Sequence, residues 1–209
     1  MDLSIPIKNY LDEISSNSPT PGGGNVSAFS GAMGCSLGIM VCNLTIGKKK
    51  YVEVEEEIKD VSFQLQSFRD KLIQLAGDDN DAFDKVMEAF KLPKETDQDK
   101  KIRSEKIENS TLHAASIPSQ VIKVCSNVIP LIQIISGKGN QNSLSDAGVA
   151  ASLLSTAAQG AYLNVLINCT SLPNNQLASE LLKKSEDIFH EVQERCDDIL
   201  AIISSRLKA

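Results

Sequence analysis

From Gly22 to Gly47 the chain carries no charged residue. Ala, Met, Leu, Ile and small polar residues fill the stretch, a composition compatible with helix. A second charge-free region runs from Ala147 to Ser179 and contains Ala-Gly-Val-Ala-Ala and Ala-Ala-Gln-Gly-Ala-Tyr. Two such helices must either be covered by protein or sit in lipid. An apolar run of about 18 residues is long enough for a membrane span, and Gly34 and Gly38 give a Gly-x-x-x-Gly spacing. Both stretches are nevertheless rich in Ser, Asn, Thr and Gly and poor in the long aliphatic runs that lipid rewards. The expectation is therefore two core or subunit-interface helices, with no membrane partner.

The remaining chain supplies charged helices to surround them. Leu3 to Ile14 reads as a short amphipathic helix, stopped by Ser15-Ser16-Asn17-Ser18-Pro19. From Val52, apolar residues Val54, Ile58, Val61, Leu65, Phe68 and Leu72 recur at helical spacing with charges between them. The acidic stretch Asp78-Asp79-Asn80-Asp81 follows, then a helical pattern from Ala82 to Phe90, broken at Leu92-Pro93-Lys94. A helix is expected from about Asp97 to His113. Pro118 and Pro130 leave the boundaries between Ala114 and Ser136 open. Gly137-Lys138-Gly139-Asn140 reads as a turn. Leu172-Pro173-Asn174-Asn175 separates the second charge-free helix from a last helix, Gln176 to Leu207. No alternating strand or tandem repeat is evident. The pattern predicts one all-α domain over residues 1–209, a bundle of long antiparallel helices with the uncharged pair at its centre.

Composition narrows the partners. Hydrophobic residues make up 42% of the 209, but aromatics only 4%, with no Trp. The core must be aliphatic, and small side chains let helices approach closely. A net charge of −6 argues against a nucleic-acid partner, which demands a basic surface. It leaves room for an anionic small molecule beside a local cation cluster. Cys35, Cys42, Cys125, Cys169 and Cys196 form no Cys-x-x-Cys pair and are read as reduced, buried thiols. The start, Met-Asp-Leu-Ser-Ile-Pro, lacks the basic region of a signal peptide. A cytoplasmic location is expected.

Few residues carry obvious chemistry. Gly22-Gly23-Gly24 is no P-loop, because no Gly-Lys-Ser/Thr follows. It either presents backbone N–H groups to a ligand at a helix start or simply permits a tight helix entry, and spacing alone does not choose. Lys48, Lys49 and Lys50 stand where a helix C-terminus favours cations. Asp78, Asp79, Asp81 and Asp84 form the densest acidic group. Asp146 reads first as a helix N-cap. His113 and His190 are too few and too separated for a zinc-activated water, and no zinc-deaminase signature is present. No Gly-x-Ser-x-Gly elbow occurs. Hydrolytic chemistry here would be metal-free.

Several ordered blocks point further. They are Pro19-Thr-Pro-Gly-Gly-Gly24, Asn43-Leu-Thr-Ile-Gly-Lys-Lys-Lys-Tyr51, Asp79-Asn-Asp-Ala-Phe83, Leu92-Pro-Lys94, Gly139-Asn140, Ser145-Asp-Ala-Gly-Val149 and Gly160-Ala-Tyr-Leu-Asn-Val-Leu-Ile-Asn168. Through them nearly the whole chain resembles the cyclodeaminase/cyclohydrolase family, which includes the C-terminal domain of formiminotransferase-cyclodeaminase. Cys42 to Glu55 and Ser145 to Ala150 look closest to the stand-alone methenyltetrahydrofolate cyclohydrolase branch.

The resemblance implies that domain's fold, a homodimer, no metal or redox cofactor, and a folate substrate. The implied reaction is reversible hydrolysis of 5,10-methenyltetrahydrofolate to 10-formyltetrahydrofolate. The nearest alternative is formimidoyltetrahydrofolate cyclodeamination, and a lower one is a non-catalytic folate-binding protein. By motif, Asp79 takes the carboxylate role, with neighbouring Asp78 or Asp81 as the alternative acid if the motif is aligned differently. The resemblance further implies folate contacts from Gly22, Gly23, Gly24, Asn43 and Lys50. Lys48, Lys49 and Lys50 match the anionic glutamate tail, with Asp146 and Asn164 in support.

Overall fold

The computed structural model describes residues 6–208. Among them are six α-helices and no strand: α1 (Ile7–Ile14), α2 (Gly23–Thr45), α3 (Glu55–Phe90), α4 (Asp97–Lys138), α5 (Leu144–Thr170) and α6 (Gln176–Lys208). Short 3₁₀ turns at Lys49–Val54 and Gln141–Ser143 link α2 to α3 and α4 to α5. The first three residues expected in the N-terminal helix, 3–5, lie outside the described residues.

Two elements are longer than their sequence suggests. α3 runs straight through the acidic stretch instead of ending before it. Gly77 is its one glycine, costing about 1 kcal/mol relative to Ala, and Asp78 to Asp81 are weak helix formers too. Packing of Leu65, Leu72, Leu75 and Ala82 on one face outweighs that loss. α4 passes through both Pro118 and Pro130. Each proline removes one helix hydrogen bond, but the flanking Ile117, Val121, Ile129 and Ile132 are buried and hold the helix in register. The start of α4 is fixed by a capping box, in which Thr96 and Asp99 exchange side-chain and backbone bonds.

α2, α3, α4 and α5 close a four-helix ring, each packed on its two neighbours, and α6 lies along α4 and α5. α2 and α5 run antiparallel. A side chain at Gly34 would meet the Ala150 carbonyl oxygen at 3.0 Å and Leu154 at 3.3 Å. One at Gly38 would meet Leu65 of α3 at 2.9 Å and Ile132 of α4 at 3.0 Å. The Gly-x-x-x-Gly spacing thus serves close packing within one chain. The core is aliphatic, with Leu65, Leu72, Ile122, Ile129, Ile132 and Leu154 fully enclosed. Each such side chain contributes about 2 kcal/mol by leaving water.

The uncharged pair forms the most extensive helix–helix contact in the bundle, and each of the two keeps one face exposed. The apolar half of α4 touches α2, α3, α5 and α6. Met33, Met40 and Leu44 of α2 and Val149, Leu163 and Ile167 of α5 remain exposed. Absence of charge permits burial on every side, yet only the Gly- and Ala-rich faces are used within the chain. By length and composition alone, α2, α4 and residues 141–170 are apolar enough to cross a membrane. The five cysteines are free and buried. Burial pushes the Cys35 and Cys196 thiols up to about 12 and Cys42 to about 11, keeping them protonated.

Candidate active site

The glycine block opens α2. Gly22 is its extended N-cap residue, and Gly23, Gly24 and Asn25 form the first turn, whose N–H groups have no helical acceptor. Asp79, in the middle of α3, turns its carboxylate onto this turn and accepts the Asn25 backbone N–H. The approach is so close that a Cβ on Gly24 would lie 2.6 Å from Asp79 Cγ. Gly24 is therefore required by Asp79, not by the turn alone.

Asn25 fixes the register between the two helices. It is fully buried. Its Oδ1 accepts from the Tyr10 hydroxyl at 2.7 Å, and its Nδ2 donates to the Ala76 carbonyl at 2.6 Å. Tyr10 also packs against Phe29, ring centroids 5.1 Å apart. Through these contacts α1, the start of α2 and the Ala76–Asp79 turn of α3 become one unit.

A cleft of about 280 Å³ opens beside Asp79. The Pro19–Gly24 loop forms one side, Phe83, Val86, Ala114 and Ile167 form an apolar wall, and Asn164 and Asn168 of α5 face them. The amide nitrogens of both asparagines are bound to their own helix, Asn164 to the Gly160 carbonyl at 2.8 Å and Asn168 to the Asn164 carbonyl at 2.9 Å. Their Oδ1 atoms accept no bond among the described residues. The volume is at the lower end for ligand pockets. It suits a single heterocycle, with the remainder of a longer molecule outside.

Electrostatically the cleft holds one feature. Burial pushes the Asp79 carboxyl above the usual carboxylate value, and the Asn25 N–H opposes that rise only in part. No Lys or Arg among the described residues pairs with it. A desolvated carboxylate without a protein counter-charge is suited to take a proton or to face a cationic ligand.

The sequence-predicted residues divide into two groups. Gly22, Gly23, Gly24, Asp79 and Asn164 converge on the cleft. Asn43, Lys48, Lys49 and Lys50 do not. They lie exposed at the far end of α2, and a helix of 23 residues is about 34 Å long. Asp146 is likewise remote, about 27 Å along α5 from Asn164. Nor is it an N-cap: Ser143 holds that position and Asp146 lies within the first turn.

The reading of single residues missed Phe83, Asn168 and the Tyr10–Asn25 pair. Phe83 follows Asp79 by one turn, and Asn168 follows Asn164 by one turn. That i, i+4 spacing was a legible signal for a shared face. The Tyr10–Asn25 contact left none, since it joins separate helices.

Fold and site together define a helical-bundle enzyme built around one desolvated carboxylate at a glycine-opened helix start. The formiminotransferase-cyclodeaminase family model matches residues 6–187, and the chain belongs to that family. It is 43% identical to a methenyltetrahydrofolate cyclohydrolase of Methylorubrum extorquens, covering 96% of this chain and 97% of that protein. It is 28% identical to the formimidoyltransferase-cyclodeaminase of Sus scrofa, of which it spans only 38%. The crystal structure of formiminotetrahydrofolate cyclodeaminase from Thermotoga maritima superposes with a TM-score of 0.82 at 32% identity, covering 96% of this chain and 98% of that one.

Proposed function

We infer that the chain is a methenyltetrahydrofolate cyclohydrolase, hydrolysing 5,10-methenyltetrahydrofolate reversibly to 10-formyltetrahydrofolate. The observation that carries this reading is Asp79, a buried carboxylate with no cation of the protein beside it. The substrate supplies that cation, because its one-carbon bridge is an amidinium shared by N5 and N10. The greater identity to the cyclohydrolase than to the cyclodeaminases favours water over ammonia as the exchanged group.

Water adds to the bridge carbon, and Asp79 takes one of its protons as general base. The resulting tetrahedral carbon bears a hydroxyl and both folate nitrogens. Loss of the hydroxyl proton forms the formyl C=O as the C–N5 bond breaks, and N5 leaves with the electron pair and gains a proton. One proton is released overall. Gly22, Gly23 and Gly24 hold the pterin edge against free backbone N–H groups, and Asn164 offers it an acceptor. Holding water and bridge carbon in line is the other main resource. The step calls on no metal or redox cofactor, so a chelator should leave the rate unchanged.

Supplying 5,10-methenyl- and 5-formimidoyltetrahydrofolate side by side tests the reading. Loss of methenyl absorbance from the first substrate should be fast. Ammonia release from the second at equal or greater efficiency would make the chain a cyclodeaminase. Binding of both with no rate enhancement would leave only a folate carrier.

The exposed wall of α2 and α5 is assigned to a second copy of this chain, giving a homodimer. Covering it desolvates no charge, and Ile167 belongs both to this wall and to the active-site cleft. Sedimentation without detergent should give a dimer. A monomer, or a protein that stays in solution only with detergent, would remove that assignment.

A further inference from the structure

We propose that the groove between α3 and α4, one turn beyond the active-site cleft, is the subsite for the substrate's glutamate tail, with Lys85 and Lys106 as its anion-binding side chains. This deepens the cyclohydrolase reading and rests on it for the identity of the ligand.

The groove holds a second cleft of about 330 Å³, lined by Lys85, Glu88, Ala89, Leu92, Lys106 and Ser110. It continues the first. Val86 and Ala114 line the active-site cleft, while Ala89 and Ser110, one turn further along each helix, line the second. Lys85 lies about 9 Å along α3 from Asp79, and Lys106 about 12 Å along α4 from Ala114. An elongated ligand with its reacting carbon at Asp79 would reach Lys85 first and Lys106 next.

Charge makes the same argument. The active-site cleft contains no Lys or Arg, yet the substrate carries carboxylates at the end remote from its bridge. Its small volume also requires that end to lie outside. Lys85 and Lys106 make no ion pair or hydrogen bond among the described residues. Exposed Lys91, Lys101 and Lys123 are unpaired as well, so it is their place on the groove that singles out Lys85 and Lys106. Arg103, further along the groove, is already committed to the Phe90 carbonyl and lies 5.6 Å from that ring centroid. Leu92, which opens the otherwise unassigned Leu92-Pro93-Lys94 block, forms the apolar base. Glu88 is the one carboxylate in the cleft and opposes the two lysines.

Charge reversal at both lysines (K85E/K106E) tests this with mono- and triglutamylated 5,10-methenyltetrahydrofolate. The expected result is a KM for the triglutamate raised about tenfold, with kcat within about twofold, since each pair is partly solvated. The advantage of the triglutamate over the monoglutamate should vanish, and Glu88→Gln should increase it. An unchanged ratio of the two KM values in K85E/K106E overturns the subsite. Binding of the isolated tail, p-aminobenzoyl-triglutamate, separates this proposal from the reaction. If the unmodified protein binds it and the double variant does not, the subsite stands even where no methenyl turnover is found. Equal binding by both proteins, or by neither, removes it.

Discussion

The two ends of α2 are built from motifs of equal prominence and do opposite things. At its start, the first-turn N–H groups, Asp79 and the asparagine oxygens are left partly unanswered, and a cleft opens. At its end the lysines and Asn43 point into solvent, while the groups that join α2 to the α4–α5 connection are answered. Asn140 N–H donates to Thr45 Oγ1 at 2.8 Å, its Nδ2 donates to the Leu44 carbonyl at 2.9 Å, and Gln141 N–H donates to the Tyr51 hydroxyl at 3.0 Å. Lys138 is paired with Glu57, and Arg206 donates to the Ser136 carbonyl. Buried polar groups without partners are costly and are kept where a ligand answers them. The glycine end therefore carries the proposed reaction, and the lysine end closes the bundle.

The sharpest break of this contrast is Asp79→Asn. Loss of the general base should lower kcat by about 10² to 10⁴, measured by methenyl absorbance. Stability should move the other way. Because burial raises the Asp79 pKa above its ordinary 3.8, the folded state holds the proton more tightly than the unfolded chain. Stability contributed by the carboxyl thus falls as pH rises from the ordinary value through the raised one. The amide escapes this loss, and at pH 7 its melting temperature should be higher by about 2 °C. A lower melting temperature would mean that the carboxylate is structural. In the unmodified enzyme, kcat/KM should fall with decreasing pH through the raised value as the base is protonated. An acid limb at the ordinary aspartate value would remove Asp79 as the base.

Gly24→Ala should come next. Its methyl group cannot coexist with Asp79 in place, and displacement of a catalytic group by about 1 Å costs on the order of 10²-fold in rate. A helix otherwise gains from Ala, by about 1 kcal/mol, so the fold should survive while kcat drops. Undiminished kcat would show that Asp79 can act from another position.

The smallest effect belongs to the other end. Replacing Lys48, Lys49 and Lys50 together by Ala should change KM by less than about twofold, as for exposed charges remote from a ligand. A rise of about tenfold would bring a second copy's lysines into the site and merge the two ends functionally.

Much of this was readable along the chain. Long helical periods, charge-free stretches and the breaks at Pro19, Leu92-Pro93 and Leu172-Pro173 marked the helices, because each depends on neighbouring residues. The Asp79–Phe83 and Asn164–Asn168 pairs could be placed on shared faces for the same reason. Helix continuity through Gly77, Pro118 and Pro130 could not, since local propensity disfavours all three and packing on α2, α3, α5 and α6 overrides it.

The sequence by itself determined that the protein is an all-helical bundle and which motifs it shares with its family, and through that resemblance it nominated Asp79 as the acid. Helical spacing and residue chemistry are local, so they survive without coordinates. Only the tertiary structure decided that Asp79 meets the Gly22–Gly24 turn and Asn164, while Asn43, the lysine triplet and Asp146 fall at the opposite end. The reason is the rigidity of α2 and α5. A helix fixes the distance between its ends, and antiparallel packing then settles which ends meet.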